Sequence, residues 1–336
     1  MPTRKLTSVE GFIVEDLPGA ECSAGPVRLG AKLIASNAIN YAREVSYAMA
    51  SLEQRRGGMT IGLKVDPDGR EEAVAAVCEE LAEELAAGRF AVDPGLRMAR
   101  AQLGGLVAGD PRNALAIENG DELRAVGAAA IANKLIGLDG RTVAIEGVAN
   151  GGGALAAEVE RLGGSVGRIS TAKGCVSGSF SAADIAAAVA AHGVEAPSSF
   201  GEVDKPWSVW RSSGVDLIFC GSGAGALTAA GAPAIGTTPV VGTTVACVAT
   251  KALAILKAAG APVTPGFLAA LGEHDVAFDP AIDSLDVARS RTQAVVSGVF
   301  GEVADHADGP FVGACLRAEA FMASWAEEVP FGRPMA

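Results

Sequence analysis

The sequence lacks the residue patterns that mark disulfide scaffolds and nucleic-acid-binding surfaces. Lys and Arg together number 27 against 39 Asp and Glu, which gives a net charge of −12 over 336 residues. A protein that binds nucleic acid presents a basic face that neutralises phosphates. The negative charge therefore argues against nucleic acid and against anionic membrane surfaces as partners.

The six cysteines form no Cys-x-x-Cys pair. A chain of this length buries a core without cross-links, so we expect reduced and mostly buried thiols. The opening residues, MPTRKLTSVEGF, lack the apolar core of a signal peptide. This predicts a cytoplasmic protein.

One stretch without a charged residue, 217–250, is long enough to cross a bilayer. It contains Pro233, Pro239 and many Gly, Ser and Thr residues. These residues favour a strand, a loop, a second strand and the start of a helix over a continuous helix. We therefore predict no membrane span.

Hydrophobic spacing predicts helices over 30–54 and 70–88, separated by a loop, strand and turn in GGMTIGLKVDPDG (57–69). The pattern changes near residue 121, where aliphatic strands begin to alternate with alanine-rich helices. Continuous apolar strands separated by helices are typical of a parallel sheet covered on both faces. The sequence thus predicts an α/β protein with a domain boundary near 121. Beyond that boundary the predicted strands are 142–147, 165–170, 215–221, 233–242 and 262–271, and the predicted helices are 153–163, 181–192 and 246–259.

The segment AIEGVANGGG (144–153) places a glycine-rich turn between a predicted strand and a predicted helix. Such a unit presents free backbone N–H groups and the positive end of a helix to an anion. Small residues also let the backbone approach a pyrophosphate closely, although tight packing of a crossover produces the same composition. We favour a dinucleotide site over that alternative. Its predicted residues are Gly147, Val148, Ala149, Asn150, Gly151 and Gly152.

The second strand of this unit ends in ISTAK (169–173), where a dinucleotide site usually has an acidic residue for the ribose hydroxyls. No carboxylate in this segment repels a 2′-phosphate, while Ser170, Thr171 and Lys173 offer hydroxyls and an ammonium to receive one. The corner therefore favours NADP over NAD by a small margin, unless Lys173 is simply solvated.

The segment LDGRTVAIEGVANGGGALAAEVERLGGSV resembles the cofactor domain of the glutamate/leucine/phenylalanine/valine dehydrogenase family, in which a GxGNxG loop follows the first strand. Ala149 stands at the second glycine position of that loop. GGMTIGLKVDP (57–67) is similar to the family's GGGKGGxKVDP segment. GAPAIGTTPVVG and PVTPGFLAALGEHDV resemble the later strands that line the nicotinamide.

The resemblance implies a substrate domain and a Rossmann-like NAD(P)-binding domain with a cleft between them, in a homo-oligomer that acts on a small molecule. It divides the chain into a substrate and oligomerisation domain over 1–120, completed by helices within 286–336, and a Rossmann-like domain over 121–285. It also adds Cys220, Gly221 and Thr244 to the predicted cofactor site.

The family's chemistry depends on lysines that this chain lacks. By the resemblance, the lysine that activates water and the imine carbon corresponds to Thr60, and one that binds the substrate carboxylate corresponds to Ala48. A further family lysine would fall near Ala24. An unpaired carboxylate in such a cleft carries a large desolvation penalty. We therefore predict a weakly charged substrate bound by Ala48, Met49 and Met59, with Thr60 donating a hydrogen bond to its carbonyl oxygen.

Two further residues are candidates for proton transfer. Asp93, in AVDPGL (91–96), matches the catalytic Asp of the family's D-x-G turn, although Asp-Pro-Gly is also a common plain turn. The family's Asn-x-Gly-Gly turn near the nicotinamide reads ALGEH (270–274) here, a predicted loop that brings Glu273 to the substrate. An unperturbed histidine changes charge near neutral pH, so His274 is a candidate to exchange a proton with an alkoxide. The alternative is a surface histidine beside acidic residues.

Three functions remain open at this point. The first is hydride transfer between NAD(P) and an alcohol, ketone or imine of low charge, with His274 or Asp93 handling the proton. The second is a catalytically silent paralogue that binds a nucleotide as a regulatory or assembly subunit. The third is an amino acid dehydrogenase that binds its carboxylate through Arg28, Arg55 or Arg56. No motif specifies the substrate, the direction of reaction or the oligomer size.

Overall fold

The computed structural model describes residues 3–336, and the chain forms two compact units. The first unit comprises Met1–Arg112 with Arg317–Pro334, and the second comprises Asn113–Leu316 with Met335–Ala336. Each unit contains one β-sheet together with helices, as the α/β prediction requires.

The strands of the first unit are β1 (Thr3–Lys5), β2 (Gly11–Glu15), β3 (Ser23–Leu29), β4 (Gly57–Leu63) and β5 (Phe90–Pro94). The strands of the second unit are β6 (Thr142–Glu146), β7 (Ser165–Thr171), β8 (Gly174–Phe180), β9 (Leu217–Cys220), β10 (Val240–Gly242) and β11 (Val263–Thr264). The α-helices are α1 (Ala35–Ser51), α2 (Arg70–Glu80), α3 (Ala82–Ala86), α4 (Ala114–Glu118), α5 (Gly120–Ile136), α6 (Gly152–Arg161), α7 (Ala182–His192), α8 (Thr250–Ala259), α9 (Gly266–Ala269), α10 (Leu271–Ala277), α11 (Leu285–Val303) and α12 (Pro310–Ala323).

The sheet of the first unit has the order β1-β2-β4-β3-β5, with β4 at its centre. All of β4 is buried, and α1 packs against it. A Cβ on Gly58 would lie 1.7 Å from the Ala42 carbonyl oxygen of α1, and a Cβ on Gly62 would lie 2.4 Å from the Phe12 ring. The two glycines therefore allow the helix and the ring to approach the strand. The core of this unit includes Ile13, Val27, Met59, Ile61, Val77, Leu81, Phe90 and Val92.

A buried ion pair connects α1 to the sheet and to the C-terminal segment. Arg43 Nε donates to Asp16 Oδ1 at 2.8 Å, and these side chains are 3% and 0% exposed. Arg43 Nη1 also donates to the Phe331 carbonyl oxygen at 2.7 Å. Burial raises the pKa of Asp16, although Arg43 opposes this shift, because a low-dielectric interior disfavours the charged carboxylate.

The C-terminal helix α12 contacts α1 within the first unit. Tyr47 Oη donates to Glu319 Oε1 at 2.9 Å, and Arg317 Nη1 donates to the Ser51 carbonyl oxygen at 2.5 Å. Arg333 holds the same Glu319 carboxylate with hydrogen bonds of 2.7 and 3.0 Å. The expected return of the C-terminal helical segment to the first domain is confirmed for these residues.

The sheet of the second unit has the order β11-β10-β9-β6-β7-β8, in which all pairs are parallel except β7 with β8. Strand β9 is buried throughout, which is typical of a parallel strand covered on both faces. The predicted parallel sheet is confirmed. Antiparallel β8 is an addition, because its GCVSGSF sequence has two glycines and two serines and favours a loop by composition.

Helix α11 packs on α5 in the second unit, whereas the predicted domain division placed all of 286–336 with the first domain. Arg289 of α11 pairs with Glu122 of α5 and with Glu158 of α6. Gly127 of α5 allows this approach, since a Cβ there would lie 3.3 Å from Val296 Cγ2 of α11. The charges and the small residue together assign α11 to this unit.

Several predicted elements are shorter in the structure. The predicted helix 70–88 is divided into α2 and α3 at Leu81, and the predicted strand 262–271 is reduced to β11 because α9 follows directly after Pro265. Within residues 3–336, no helix is both long enough and apolar enough to cross a membrane.

Candidate functional site

The glycine-rich segment forms the turn between β6 and α6. The N–H groups of Gly147 and Val148 both donate to the Ser170 carbonyl oxygen at 3.0 Å, which ties the turn to the end of β7. Gly147 has a φ of 79°, and a Cβ there would lie 2.3 Å from the backbone nitrogen of Ser222. Glycine is therefore required where this turn crosses the loop after β9.

Two side chains hold the loop after β9 against this turn. Asn150 Nδ2 donates to the Gly221 carbonyl oxygen at 3.0 Å. The buried Glu146 carboxylate accepts hydrogen bonds from the N–H groups of Gly221 and Ser222, both at 3.0 Å to Oε2. Converging backbone N–H groups form an anion site, and here the protein's own carboxylate occupies it. Sequence reasoning missed Glu146, although an acidic residue at the end of a continuous apolar strand signals a buried polar contact.

Helix α6 begins directly after the turn. Gly151, at its N-cap, has a left-handed φ of 71°, and a Cβ on Gly152 would lie 2.6 Å from Val148 Cγ2. A Cβ on Gly153 would lie 2.9 Å from that of Ala186 in α7. The glycines thus serve the packing of the protein itself. The same geometry presents the first N–H groups of α6 and the positive end of its dipole, as phosphate-binding turns do.

A small pocket of about 50 Å³ adjoins this turn. Among the described residues, the buried Oγ1 atom of Thr244 has no hydrogen-bond partner. Because an unsatisfied buried hydroxyl costs about 1–3 kcal/mol, Thr244 is a candidate contact for a bound polar group. The pocket alone admits one or two groups the size of water, at roughly 30 Å³ each. Its lining consists of Asp121, Arg124, Ala125, Ala128, Asn150, Gly151, Leu155, Thr243 and Thr244.

The ISTAK corner is a tight hairpin between β7 and β8, in which Thr171 pairs with Gly174. Thr171 Oγ1 donates to the Val194 carbonyl oxygen at 2.5 Å. Lys173 Nζ lies 3.1 Å from Glu195 Oε1, and both side chains are more than half exposed. NADP was favoured because the segment 169–173 contains no carboxylate. The fold nevertheless brings the Glu195 carboxylate beside Lys173, so a carboxylate does lie at this corner.

Cys220 ends β9 and is buried. Burial, together with neighbouring Cys247, raises the pKa of the Cys220 thiol well above its ordinary value. A thiol that stays protonated is a poor nucleophile. All six cysteines are free, and five of them are buried, as expected from the sequence.

The predicted loop 270–274 is largely helical, which corrects the expectation from the sequence. Glu273 and the half-buried His274 lie in α10, and Glu273 Oε2 accepts a hydrogen bond from Arg124 Nη2 at 2.6 Å. Gly272 explains the difference because its lack of a side chain lets α10 approach α11. A Cβ there would lie 2.2 Å from Thr292 Cγ2 of α11. This glycine therefore permits close helix packing and does not form a turn.

The residues predicted to line the substrate cleft have no exposed surface. Ala48, Met49, Met59 and Thr60 are each 0% exposed in the first unit, because they lie where α1 packs against β4. Thr60 Oγ1 donates to the Ala38 carbonyl oxygen of α1 at 3.1 Å. Their burial differs from the expectation of an open apolar lining and weakens the argument for a weakly charged substrate.

Asp93 belongs to an ion network at the end of β5. Arg112 Nη1 donates to Asp93 Oδ1 at 2.7 Å, and Arg112 Nη2 donates to Asp110 Oδ2 at 2.9 Å. Although burial opposes it, the two carboxylates raise the pKa of Arg112 above its ordinary value. Asp93 is thus held in a fixed orientation by an arginine that the sequence analysis missed.

The first unit has an open pocket of about 340 Å³ near the ends of β3 and β5. Lys32 and Arg97 lie in its lining beside Leu33 and Leu96. Two cations next to apolar side chains suit a carboxylate with an apolar body. The sequence analysis missed this pair because the two residues come from distant parts of the chain.

Two of the three arginines considered as carboxylate anchors, Arg28 and Arg56, have side-chain partners within the protein. The guanidinium of Arg28 lies 4.2 Å above the Tyr41 ring, and Arg56 Nη1 donates to Gln54 Oε1 at 3.1 Å. Residues 3–336 contain no cluster of three or more His, Cys, Asp and Glu side chains that could hold a metal ion.

No family model matches the chain, and no curated protein matches its sequence. Solved structures do match. The hetero-hexameric glutamate dehydrogenase from Thermus thermophilus, in its Leu-bound form, is similar with a TM-score of 0.76 and 22% identity over 94% of this chain and 84% of that chain. L-tryptophan dehydrogenase from Nostoc punctiforme is similar with a TM-score of 0.67 and 13% identity over 96% of this chain and 94% of that chain.

Glutamate dehydrogenase from Plasmodium falciparum is also similar, with a TM-score of 0.74 and 12% identity over 94% of this chain and 79% of that chain. At such identities the likeness establishes the fold. The protein has the two-sheet α/β fold of the amino acid dehydrogenases, with a C-terminal helix that contacts the N-terminal helix α1.

Proposed function

We propose that the protein is an NAD(P)-dependent oxidoreductase that acts on a small molecule. The observation that carries this proposal is the turn between β6 and α6, which Asn150 joins to the loop after β9. The fold likeness to glutamate and tryptophan dehydrogenases supports hydride-transfer chemistry on this scaffold.

The residues of the second unit fit a dinucleotide. The positive end of α6 suits a pyrophosphate, so residues 147–152 would bind it. The Thr244 hydroxyl, which lacks a protein partner, would gain one. Ser170 and Cys220 lie near the ends of β7 and β9, on either side of β6, and together with Gly221 they complete the proposed site. When bound, the nicotinamide would accept or deliver a hydride.

His274 is the proposed acid–base group. An imidazole changes charge near neutral pH and can protonate an alkoxide or remove its proton. Thr60 is buried, and its hydroxyl does not change charge near neutral pH, so Asp93 is the alternative candidate. We expect His274→Gln to lower kcat by about 10²–10⁴-fold, the usual range for general acid–base catalysis, with little change in nucleotide affinity.

Two substrate classes follow from different residues. Thr60 and Ala48, at the positions that the resemblance aligns with the family's lysines, favour a carbonyl, alcohol or imine of low charge. The pocket lined by Lys32 and Arg97 favours a carboxylate substrate instead, which would make the protein an amino acid dehydrogenase with different cationic anchors. Screening neutral ketones, alcohols, imines and 2-oxo acids with ammonia separates the two classes.

The double variant Lys32→Gln/Arg97→Gln sharpens this screen. If a carboxylate binds these cations, its KM should rise about tenfold or more, because a charge-assisted hydrogen bond contributes about 1.5–3 kcal/mol. The KM of a neutral substrate should not change. Lys5→Gln, at another exposed position of the first unit, is the matched control.

A nucleotide-binding subunit without catalytic activity is the second candidate. The burial of Thr60 supports it, because the resemblance aligns Thr60 with the family's water-activating lysine and a buried threonine hydroxyl cannot replace that ammonium. The similar Thermus thermophilus enzyme is hetero-hexameric, and such an assembly could include a subunit of this kind. Nucleotide binding without turnover of any compound in the screen would favour this candidate over the oxidoreductase.

The proposed cofactor contact is tested with Thr244→Val, which removes the hydroxyl and keeps the shape of the side chain. We expect the unbound protein to keep its stability and the Kd for NADPH to rise about five- to tenfold, as for the loss of one hydrogen bond. Thr243→Val is the control, because Thr243 Oγ1 already donates to the Cys220 carbonyl oxygen at 3.2 Å. That variant should lose stability instead. An unchanged NADPH affinity in Thr244→Val would remove Thr244 from the site.

A further inference from the structure

A second pocket of the second unit, of about 200 Å³, lies among α5, α6 and α11. Its apolar lining comes from Val126, Ala130 and Leu162, and its charged lining comes from Lys134 and Arg161. At roughly 30 Å³ for each non-hydrogen atom, by analogy with water, the volume accommodates about six or seven such atoms. The pocket is therefore the size of a short aliphatic acid.

Lys134 and Arg161 each make a hydrogen bond that fixes the side chain, and each has further N–H donors for a ligand. Lys134 Nζ donates to the Ser297 carbonyl oxygen at 3.2 Å. It occupies space left by a glycine of α11, since a Cβ on Gly301 would lie 2.7 Å from Nζ. Arg161 Nε donates to Glu158 Oε2 at 2.9 Å. Among residues 3–336, neither cation has another hydrogen-bond or ion-pair partner.

The local charge balance favours an anion. Glu158 is the acidic residue that pairs with Arg161, and it shares its carboxylate between Arg161 and Arg289. Glu122 also pairs with Arg289. Lys134 therefore adds positive charge that no carboxylate among residues 3–336 neutralises in an ion pair.

We propose that this pocket is a regulatory site for a small aliphatic carboxylate. Lys134 and Arg161 bind the carboxylate group, and Val126, Ala130 and Leu162 contact the aliphatic body. Such a ligand interacts with both the cations and the apolar side chains. A bare inorganic anion interacts with the cations alone, and an alcohol gains mainly from contact with the apolar side chains.

The helices that form this pocket also reach the proposed nucleotide site. Helix α6 begins at the glycine turn and ends at Arg161, a span of about 15 Å at 1.5 Å per residue. Asp121, Arg124 and Ala128 of α5 line the pocket beside the glycine turn, while Val126, Ala130 and Lys134 of the same helix line the carboxylate pocket. Through these shared helices we expect a carboxylate in the pocket to change nucleotide affinity, and such coupling is reciprocal. This coupling rests on the proposed function, but carboxylate binding does not.

Titration of the full chain with butyrate, by calorimetry at constant ionic strength, tests the site. We expect a Kd of about 1 mM or tighter, as for a ligand of six non-hydrogen atoms, and weaker binding of 1-butanol and inorganic phosphate. Lys134→Gln/Arg161→Gln should weaken butyrate binding at least tenfold. Lys257→Gln, at an exposed lysine of the same unit that pairs with Asp308, should leave it unchanged.

Absence of butyrate binding, or equal binding to the double variant and the unmodified protein, would overturn the proposal. Phosphate or 1-butanol binding as tightly as butyrate would also overturn it. The coupling is measured as the Kd for NADPH with and without saturating butyrate, where at least a threefold change is expected. An unchanged Kd refutes the regulatory role. If NADPH does not bind at all, the proposed function fails while the butyrate titration still decides the carboxylate site.

Discussion

At the scale of single residues, the glycines of the turn between β6 and α6 are fixed first by the protein's own backbone. Gly147 passes the loop after β9, and Gly152 lies against Val148. The same glycine-rich pattern is therefore typical both of a phosphate site and of a tight crossover. Mutations at these positions must be compared with a control that separates backbone strain from contact.

Gly147→Ala is predicted to destabilise the protein by several kcal/mol. The left-handed φ of 79° costs a non-glycine residue about 1–2 kcal/mol, and the new Cβ would meet the Ser222 backbone at 2.3 Å. Gly140→Ala is the matched control, because Gly140 has a φ of 69° with nothing within 4 Å of its Cβ. Urea unfolding should show only the conformational cost for Gly140→Ala. Equal losses in the two variants would refute the close crossing at Gly147.

The ion pair between Lys173 and Glu195 is predicted to set the choice between NADPH and NADH. Glu195→Gln should shift the ratio of affinities toward NADPH, because it removes a carboxylate that repels a 2′-phosphate. Lys173→Gln should shift the ratio toward NADH. Each shift should be about two- to fivefold, since exposed charges contribute about 0.2–1 kcal/mol. Parallel titrations of both nucleotides measure the ratios, and shifts of the same sign in the two variants would contradict the assignment of this corner.

The local part of the proposed site could be predicted from the sequence, and the long-range part could not. Gly147 and Asn150 stand in one short segment between a strand and a helix, so their pattern is visible directly. Thr244 comes near that segment, and Glu195 near Lys173, only through the fold. Thr60 was expected at a substrate surface, but its burial depends on how closely α1 approaches β4, which Gly58 permits.

At the scale of elements, the prediction was strongest where hydrophobic spacing alone decides the structure. The parallel strands β6, β7 and β9 lie where continuous apolar runs place them. Strand β8 was missed because pairing with β7 overrides its loop-like composition. Residues 270–274 were expected to be a loop because a family motif is a turn there, but Gly272 serves the packing of α10 on α11.

The contact between α12 and α1 is predicted to make the stability of the protein depend on pH in the acid range. Burial disfavours the charged form of Glu319, but hydrogen bonds from Arg333 and Tyr47 lower its pKa overall. A lowered pKa in the folded state stabilises the protein above the unfolded value, about 4.3 for Glu. That stability is lost as the pH falls through the lower folded value.

Glu319→Gln tests this contact. At pH 7 the variant should be less stable by about 1–3 kcal/mol, as for hydrogen bonds to a charged group. The difference from the unmodified protein should shrink as the pH falls below about 4. Urea unfolding at pH 7, 5, 4 and 3 measures it, with Glu21→Gln at an exposed position of the same unit as control. A difference that stays constant with pH would contradict the role assigned to the carboxylate.

At the scale of the whole molecule, the fold and the chemistry give different kinds of information. The fold is that of amino acid dehydrogenases, while Ala48 and Thr60, which the sequence resemblance aligned with the family's lysines, are buried. A shared scaffold does not fix the reaction, because function depends on the site. The pocket with Lys32 and Arg97 and the carboxylate pocket with Lys134 and Arg161 are the features that distinguish this chain.

The measurement that tests the account most directly is titration of the purified protein with NADPH and with NADH, followed by nucleotide fluorescence. The account predicts binding with a Kd on the order of micromolar, some preference between the two forms and weaker binding in Thr244→Val. A nucleotide at 100 times its Kd should also raise the free energy of unfolding by about 2.7 kcal/mol. Failure of both nucleotides to bind would contradict the account and reduce the glycine-rich turn to a packing feature of the fold.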